Sequence, residues 1–169
     1  MGPVSADFDD PRFTAIGLLA EVFTGLTNRF AVQLEQHGLS GVEFEVLMRL
    51  ARSPGSRLRM TDLAAQTSLS TSGVTRVVDR MERGGLVCRQ ACPSDRRSSY
   101  AVITPAGLAR LDEVIPGHLE LVQQWFIGQL PPDQLDAMLS ALRTLRDAVN
   151  PCATAGTADV DHEPAAPRS

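Results

Sequence analysis

Between Ser70 and Arg83 the chain sets hydroxyls and guanidinium groups at intervals that gather them on one side of a helix. Ser72, Thr75, Arg76, Asp79, Arg80 and Arg83 fall on that side, while Val74, Val77, Val78 and Met81, at i, i+3, i+4 and i+7, make an apolar stripe on the other. Hydroxyls and arginines so arranged suit hydrogen bonding to phosphate oxygens and the forked pairing of a guanidinium with O6 and N7 of guanine. The candidate contacts are Ser70, Thr71, Ser72, Thr75, Arg76 and Arg80. Ser70 stands at the N-cap position, and Gly84 with Gly85 supplies a left-handed C-terminal cap.

A second basic element follows. Leu86 to Ala91 and Ser99 to Ile103 are β-rich runs, and Pro93 to Ser98 between them is turn-forming and positively charged. Arg96 and Arg97 therefore join the candidate DNA contacts. Asp95 lies two residues before Arg97, where a carboxylate can hold a guanidinium by a paired hydrogen bond and reduce the entropy it loses on entering a minor groove. Asp95 is expected to position the wing arginine rather than to touch DNA. Upstream, Thr61 to Thr67 reads as a short first helix and Ser68 to Ser70 as the turn. Helix, turn, helix and basic hairpin make a winged helix-turn-helix within a mainly α fold with a small β-hairpin wing (α+β).

These residues resemble the MarR family of transcriptional regulators. The resemblance rests on the run from Leu69 to Val87 and on Asp95-Arg96-Arg97 leading to Val102-Ile103-Thr104-Pro105-Ala106-Gly107, in order and at the family's spacing. The helical pattern agrees from roughly Arg12 to Val149. The resemblance implies a homodimer on a pseudo-palindromic operator, usually a repressor released by a small ligand or by oxidation. One departure is Gly73, a poor helix former where a bulkier residue is usual.

Charge distribution agrees, although the whole chain carries −4. From 57 to 97, eight arginines stand against four carboxylates, a net +4, so the remaining residues hold −8. A basic lobe on an acidic body presents a single face to phosphate. All 16 basic side chains are arginine.

The elements that must hold this lobe are long helices. Phe13 to Leu34 carries Ile16, Leu19, Phe23, Leu26 and Phe30 at helical spacing, and Gly38 ends it. Gly41 to Ala51 follows with Phe44, Leu47, Met48 and Ala51 as its expected buried stripe. Pro105 opens a helix through Leu108, Leu111, Ile115, Leu119, Val122 and Phe126, with a kink expected near Pro116-Gly117. Pro131 or Pro132 starts the last, with Leu135, Met138, Leu139, Leu142, Leu145 and Val149 in one stripe. Residues 11–37 and 105–150 are accordingly assigned to a dimerisation region that holds two reading heads about one DNA turn, ~34 Å, apart. Residues 38–104 form the DNA-binding lobe, and residues 1–10 and 151–169 are expected to be disordered.

With no run of about 18 consecutive apolar residues and no signal-peptide core, the protein is expected in the cytoplasm, associated with the nucleoid and not with a membrane. Cys88, Cys92 and Cys152 make no disulfide framework. Oxidation of Cys88 or Cys92 could distort the wing, with Arg89 lowering a thiol pKa, so a redox-sensing regulator is one alternative. His37, His118 and His162 are scattered without a structural-zinc spacing, and neither metal nor cofactor is expected. No phosphate loop or nucleophile–histidine arrangement points to an enzyme. A ligand-responsive regulator and a constitutive or architectural DNA-binding module then differ in one feature, an effector pocket. Phe13, Ile16, Phe44, Met48 and Leu111 could line it for a small aromatic or lipophilic anion, with Arg49 or Arg52 pairing its charge.

Overall fold

The computed structural model describes residues 9–92 and 95–153, with side chains for all of these but 95–97. Most of the two termini expected to be disordered, the turn residues Pro93 and Ser94, and His162 lie outside the described residues.

The first helix, α1 (Pro11–Gln36), begins where Pro11 needs no N–H partner and Asp10 accepts from the Arg12 amide at 2.9 Å. Asp10, expected within a disordered terminus, is thus a helix cap. At the other end Gly38 adopts φ +68°, and paired hydrogen bonds from Gly38 to the Glu35 carbonyl and from Leu39 to the Leu34 carbonyl close the last turn. The next helix, α2 (Gly41–Ala51), starts with a reciprocal cap in which Ser40 and Glu43 satisfy each other's backbone amides. A three-residue strand, β1 (Arg57–Arg59), then leads into α3 (Met60–Thr67) and, past Ser68 in the left-handed region at φ 55°, into α4 (Thr71–Arg83).

Beyond α4, Gly85 takes φ +72° and the Leu86 amide returns to the Met81 carbonyl, the glycine cap expected there. The hairpin is β2 (Val87–Cys92) and β3 (Asp95–Ile103), and the antiparallel sheet runs β1-β3-β2. Val87 pairs with Ile103, Gln90 and Arg59 flank Tyr100 from either side, and an irregularity between Ala91 and Cys92 brings Cys92 opposite Asp95. Two expectations are corrected here. Asp95 to Ser98 belong to β3 and not to a loop, because pairing with β2 extends the strand through residues whose local preference is for turns. β1 is an added strand; three residues carry too little alternation to announce it, and its partner β3 lies about 40 residues away.

The core lies where α2, α3, α4 and the sheet meet the inner ends of α1 and the last long pair's first member, α5 (Pro105–Trp125). Val46, Leu47, Leu50, Leu63, Val74, Val78 and Val114 are fully buried there, each side chain contributing about 1.5–3 kcal/mol by leaving water. The stripe assigned to α2 is partly corrected: Leu47 is central, but Phe44, Met48 and Ala51 are only half-buried while Val46 and Leu50 are enclosed. α2 is surrounded by neighbours, so a one-sided pattern understates its burial. Val74, Val78 and Met81 of α4 are buried as expected, with Val77 packed at the margin. Gly107, near the start of α5, lets that helix press on the Leu86 carbonyl and Ile103, where a Cβ would overlap both.

α5 runs on through Pro116, which has no N–H to offer the Asp112 carbonyl. It is followed by α6 (Pro132–Val149), which has no buried residue. The outer part of α1 is equally open: Phe13 and Ile16 are each 61% exposed and Phe23 67%. By length and composition α1 is apolar enough to cross a membrane, although, as expected, it holds no run of 18 consecutive apolar residues. Leu119 on α5 and Leu145 on α6 are exposed as well.

Candidate nucleic-acid interface

α4 is held so that one face is core and the other is open. Ser70 Oγ accepts from the Gly73 amide at 3.1 Å and contacts Ser72 Oγ at 3.2 Å. A Cβ on Gly73 would come within 3.1 Å of that capping hydroxyl, which gives the glycine a local role in the first turn. Thr71, Ser72 and Arg76 are exposed. Thr75 is half-buried and spends its hydroxyl hydrogen on the Thr71 carbonyl at 2.8 Å, leaving its oxygen only as an acceptor. Arg76 makes no ion pair among the described residues, so its fork is available to a ligand.

Arg80 is placed differently from Arg76. Its Nε donates to Glu43 Oε1 at 2.6 Å, while its side chain stays 55% exposed. Burial alone would raise the Glu43 pKa, but hydrogen bonds from Arg80 and Ser40 outweigh it and hold the carboxyl below its ordinary value. Glu43 thereby joins the cap of α2 to the outer face of α4. Arg89 on β2 spans from the wing to α4, meeting Asp79 and Glu82. Arg57 and Arg59 of β1 lie over the Tyr100 ring at 4.8 and 5.9 Å, and the Tyr100 hydroxyl hydrogen bond raises the Arg59 pKa.

The backbone of Asp95, Arg96 and Arg97 starts β3, while their side chains lie outside the described residues, as does the proposed pairing of Asp95 with Arg97. The open hydroxyls and arginines of α4 have the chemistry to grip phosphates and reach base edges.

Comparison with known proteins places this geometry. A model described as MarR family matches residues 37–98. The uncharacterized HTH-type transcriptional regulator YkoM of Bacillus subtilis is 31% identical over 127 residues, covering 75% of this chain and 80% of YkoM. The crystal structure of AbsC, a MarR family transcriptional regulator from Streptomyces coelicolor, aligns with a TM-score of 0.77 and 36% identity over 82% of this chain and 94% of AbsC. The chain belongs to the MarR family. Sco3205, a MarR family transcriptional regulator from the same organism solved in complex with DNA, aligns with a TM-score of 0.76 and 32% identity over 82% of this chain and 87% of its own. As a MarR-family protein the chain is a DNA-binding transcriptional regulator and not an enzyme.

The residues expected to line an effector pocket differ in burial within this MarR-family protomer. Leu111 is 3% exposed and belongs to the core, Phe44 and Met48 are half-buried on α2, and Phe13 and Ile16 stand open on α1. Arg49 pairs with Glu45 at 2.9 Å along its own helix. A shallow open groove lies elsewhere, lined by Leu119, Glu120, Val122, Gln123, Gln124 and Ile127. Phe44 instead faces His118, whose ring lies 4.5 Å from it and 4.7 Å from Phe30. Gln33 Oε1 and His118 Nδ1 are buried there without a hydrogen-bond partner among the described residues, and burial lowers the His118 pKa. Cys88 is half-buried and Cys92 buried, four residues apart on one strand and hence roughly 13 Å apart, beyond disulfide reach.

Sequence reasoning missed Glu43, Arg89, Tyr100 and His118 as parts of this surface and its supports. The Ser40-x-x-Glu43 spacing signals a capping box. The other three depend on pairings between distant elements and leave no local signal.

Proposed function

We propose that this MarR-family protein is a homodimeric repressor of a pseudo-palindromic operator, released by a small molecule. The observation that carries the reading is the combination of one outward arginine and hydroxyl face on α4 with a large unpartnered apolar surface on α1, α5 and α6. A second copy would cover that surface and set two α4 helices in successive major grooves, Ser70, Thr71, Ser72, Thr75 and Arg76 meeting DNA and Arg80 adding a phosphate contact. Arg96 and Arg97 would then enter the flanking minor grooves, oriented by Asp95. A dimer also accounts for α1 without a bilayer, which favours a cytoplasmic, chromosome-bound protein.

Release by a ligand is supported at the junction of α1, α2 and α5, where Gln33 Oε1 and His118 Nδ1 lack partners and the His118 ring meets those of Phe30 and Phe44. A small aromatic molecule able to donate hydrogen bonds would suit them, and Phe44 and Met48 stay in the proposed lining while Leu111 serves the core. BpsR of Bordetella bronchiseptica, 25% identical with a TM-score of 0.69, is described as regulated in its DNA binding by 6-hydroxynicotinic acid. Tenfold release needs only about 1.4 kcal/mol of differential affinity.

Hydroxyl-radical footprinting of the DNA upstream of the protein's own reading frame tests this reading. Two protected patches related by a two-fold axis and about one helical turn apart are expected. A single patch, or uniform protection of any duplex, contradicts it.

A further inference from the structure

The last described helix reaches back to the reading head. α6 has no buried residue and makes no extensive contact with another element among the described residues. Yet at its end the Asn150 amide donates to Ser68 Oγ at 3.2 Å, across 82 positions of sequence. Ser68 is the left-handed residue of the turn between α3 and α4, two positions before the Ser70 cap.

Both partners are fixed before they meet. The Asn150 backbone amide bonds the Arg146 carbonyl at 2.7 Å, and its carbonyl accepts from Ala153 at 3.0 Å, so the side chain leaves a closed turn in a set direction. Ser68 is held on its far side by the Leu69 amide, which bonds the Ala64 carbonyl at 3.2 Å. Little further freedom is lost when the contact forms.

We propose that Asn150 is a positioning residue that ties the α6 arm to the helix-turn-helix turn, so that the seating of α6 on a second copy sets where α4 begins. The inference rests on the dimeric reading above, because no residue of α6 is fully buried within its own protomer. Displacement of α6 then moves the first turn of α4 through one hydrogen bond, in addition to any movement carried by α5.

The test uses the full chain and three variants. Asn150→Ala removes the donor. Ser68→Gly removes the acceptor while suiting the positive φ, and Ser68→Asn suits that φ and restores an acceptor. Each binds a duplex selected from a random library by the wild-type protein, and the same duplex with one base pair added at its centre. The wild-type preference for the unaltered spacing should fall on the order of threefold in Asn150→Ala and Ser68→Gly, with no further fall when they are combined, and remain in Ser68→Asn. Sedimentation should show the same dimer in all. Spacing preferences unchanged in all variants, or Ser68→Asn behaving as Ser68→Gly, would overturn the proposal. Should the wild-type protein select no sequence, the operator reading fails and amide hydrogen exchange without DNA decides the tie. Faster exchange from Leu69 to Gly73 in Asn150→Ala supports it, and unchanged exchange overturns it.

Discussion

Arg89 donates to Asp79 at 2.5 Å across the gap between the wing and the reading helix, and the same guanidinium reaches Glu82 at 3.2 Å and the Thr75 carbonyl at 3.4 Å. One side chain joins α4 to β2. Glu82 also accepts from the Arg89 backbone amide at 3.0 Å, so the attachment holds main chain as well as side chain.

Arg89→Ala should therefore weaken binding to every duplex about equally, by ~1 kcal/mol given the partial exposure of both partners. Base preference should persist. Because Arg89 is occupied within the protein, the slope of log affinity against log salt should not change; a slope reduced by about one would make it a phosphate contact instead.

Arg76 carries the opposite expectation. It is exposed, without an ion pair among the described residues, and its replacement by alanine should cost about 1–3 kcal/mol and relax sequence preference. Competition binding against single-base operator variants reads this directly. A loss uniform over all sequences would assign Arg76 to the backbone.

Much of this arrangement was legible in the sequence, and what was missed has a common physical cause. The apolar period of Val74, Val78 and Met81 and the cap signals at Ser70 and Gly85 are local, and the structure bears them out. β1, the extension of β3 to Asp95, and the pairings of Arg80 with Glu43 and Arg89 with Asp79 depend on partners brought together by folding. Leu111 illustrates the limit for pockets, since an apolar residue at helical spacing can line a cavity or fill a core, and here it fills the core.

Gly107 should tolerate no side chain. A methyl group there would overlap the Leu86 carbonyl and Ile103, both set by the sheet and the α4 cap, and neither is the free end of a flexible chain. Gly107→Ala should destabilise folding by about 3 kcal/mol. Urea unfolding would show the shift, whereas an unchanged midpoint would mean that α5 can move away at no cost.

Stability should fall on mild acidification. Burial keeps the His118 pKa below its ordinary 6.5, so the unfolded chain binds the proton more tightly than the folded one. The neutral ring's contribution is fully present above pH ~6.5 and is lost as pH falls through the depressed folded value. The slope stays below about 1.4 kcal/mol per pH unit because a single ring exchanges at most one proton. His118→Phe should flatten the stability profile between pH 7.5 and 5.5; an equally steep profile in the variant would place the titration elsewhere.

The wing contributes its own test. Arg97→Ala should weaken binding while leaving the dimer and its unfolding transition intact. Wild-type affinity in the variant at ~150 mM salt would remove Arg97 from the interface.

Fluorescence anisotropy of the full chain tests the central claim most directly, with a labelled duplex from upstream of its own reading frame, a scrambled duplex of equal composition and a salt series. A sequence-specific regulator predicts nanomolar binding to the first, at least about a thousandfold preference over the second, and affinity that falls steeply with salt. Weak and equal binding to both duplexes would contradict it.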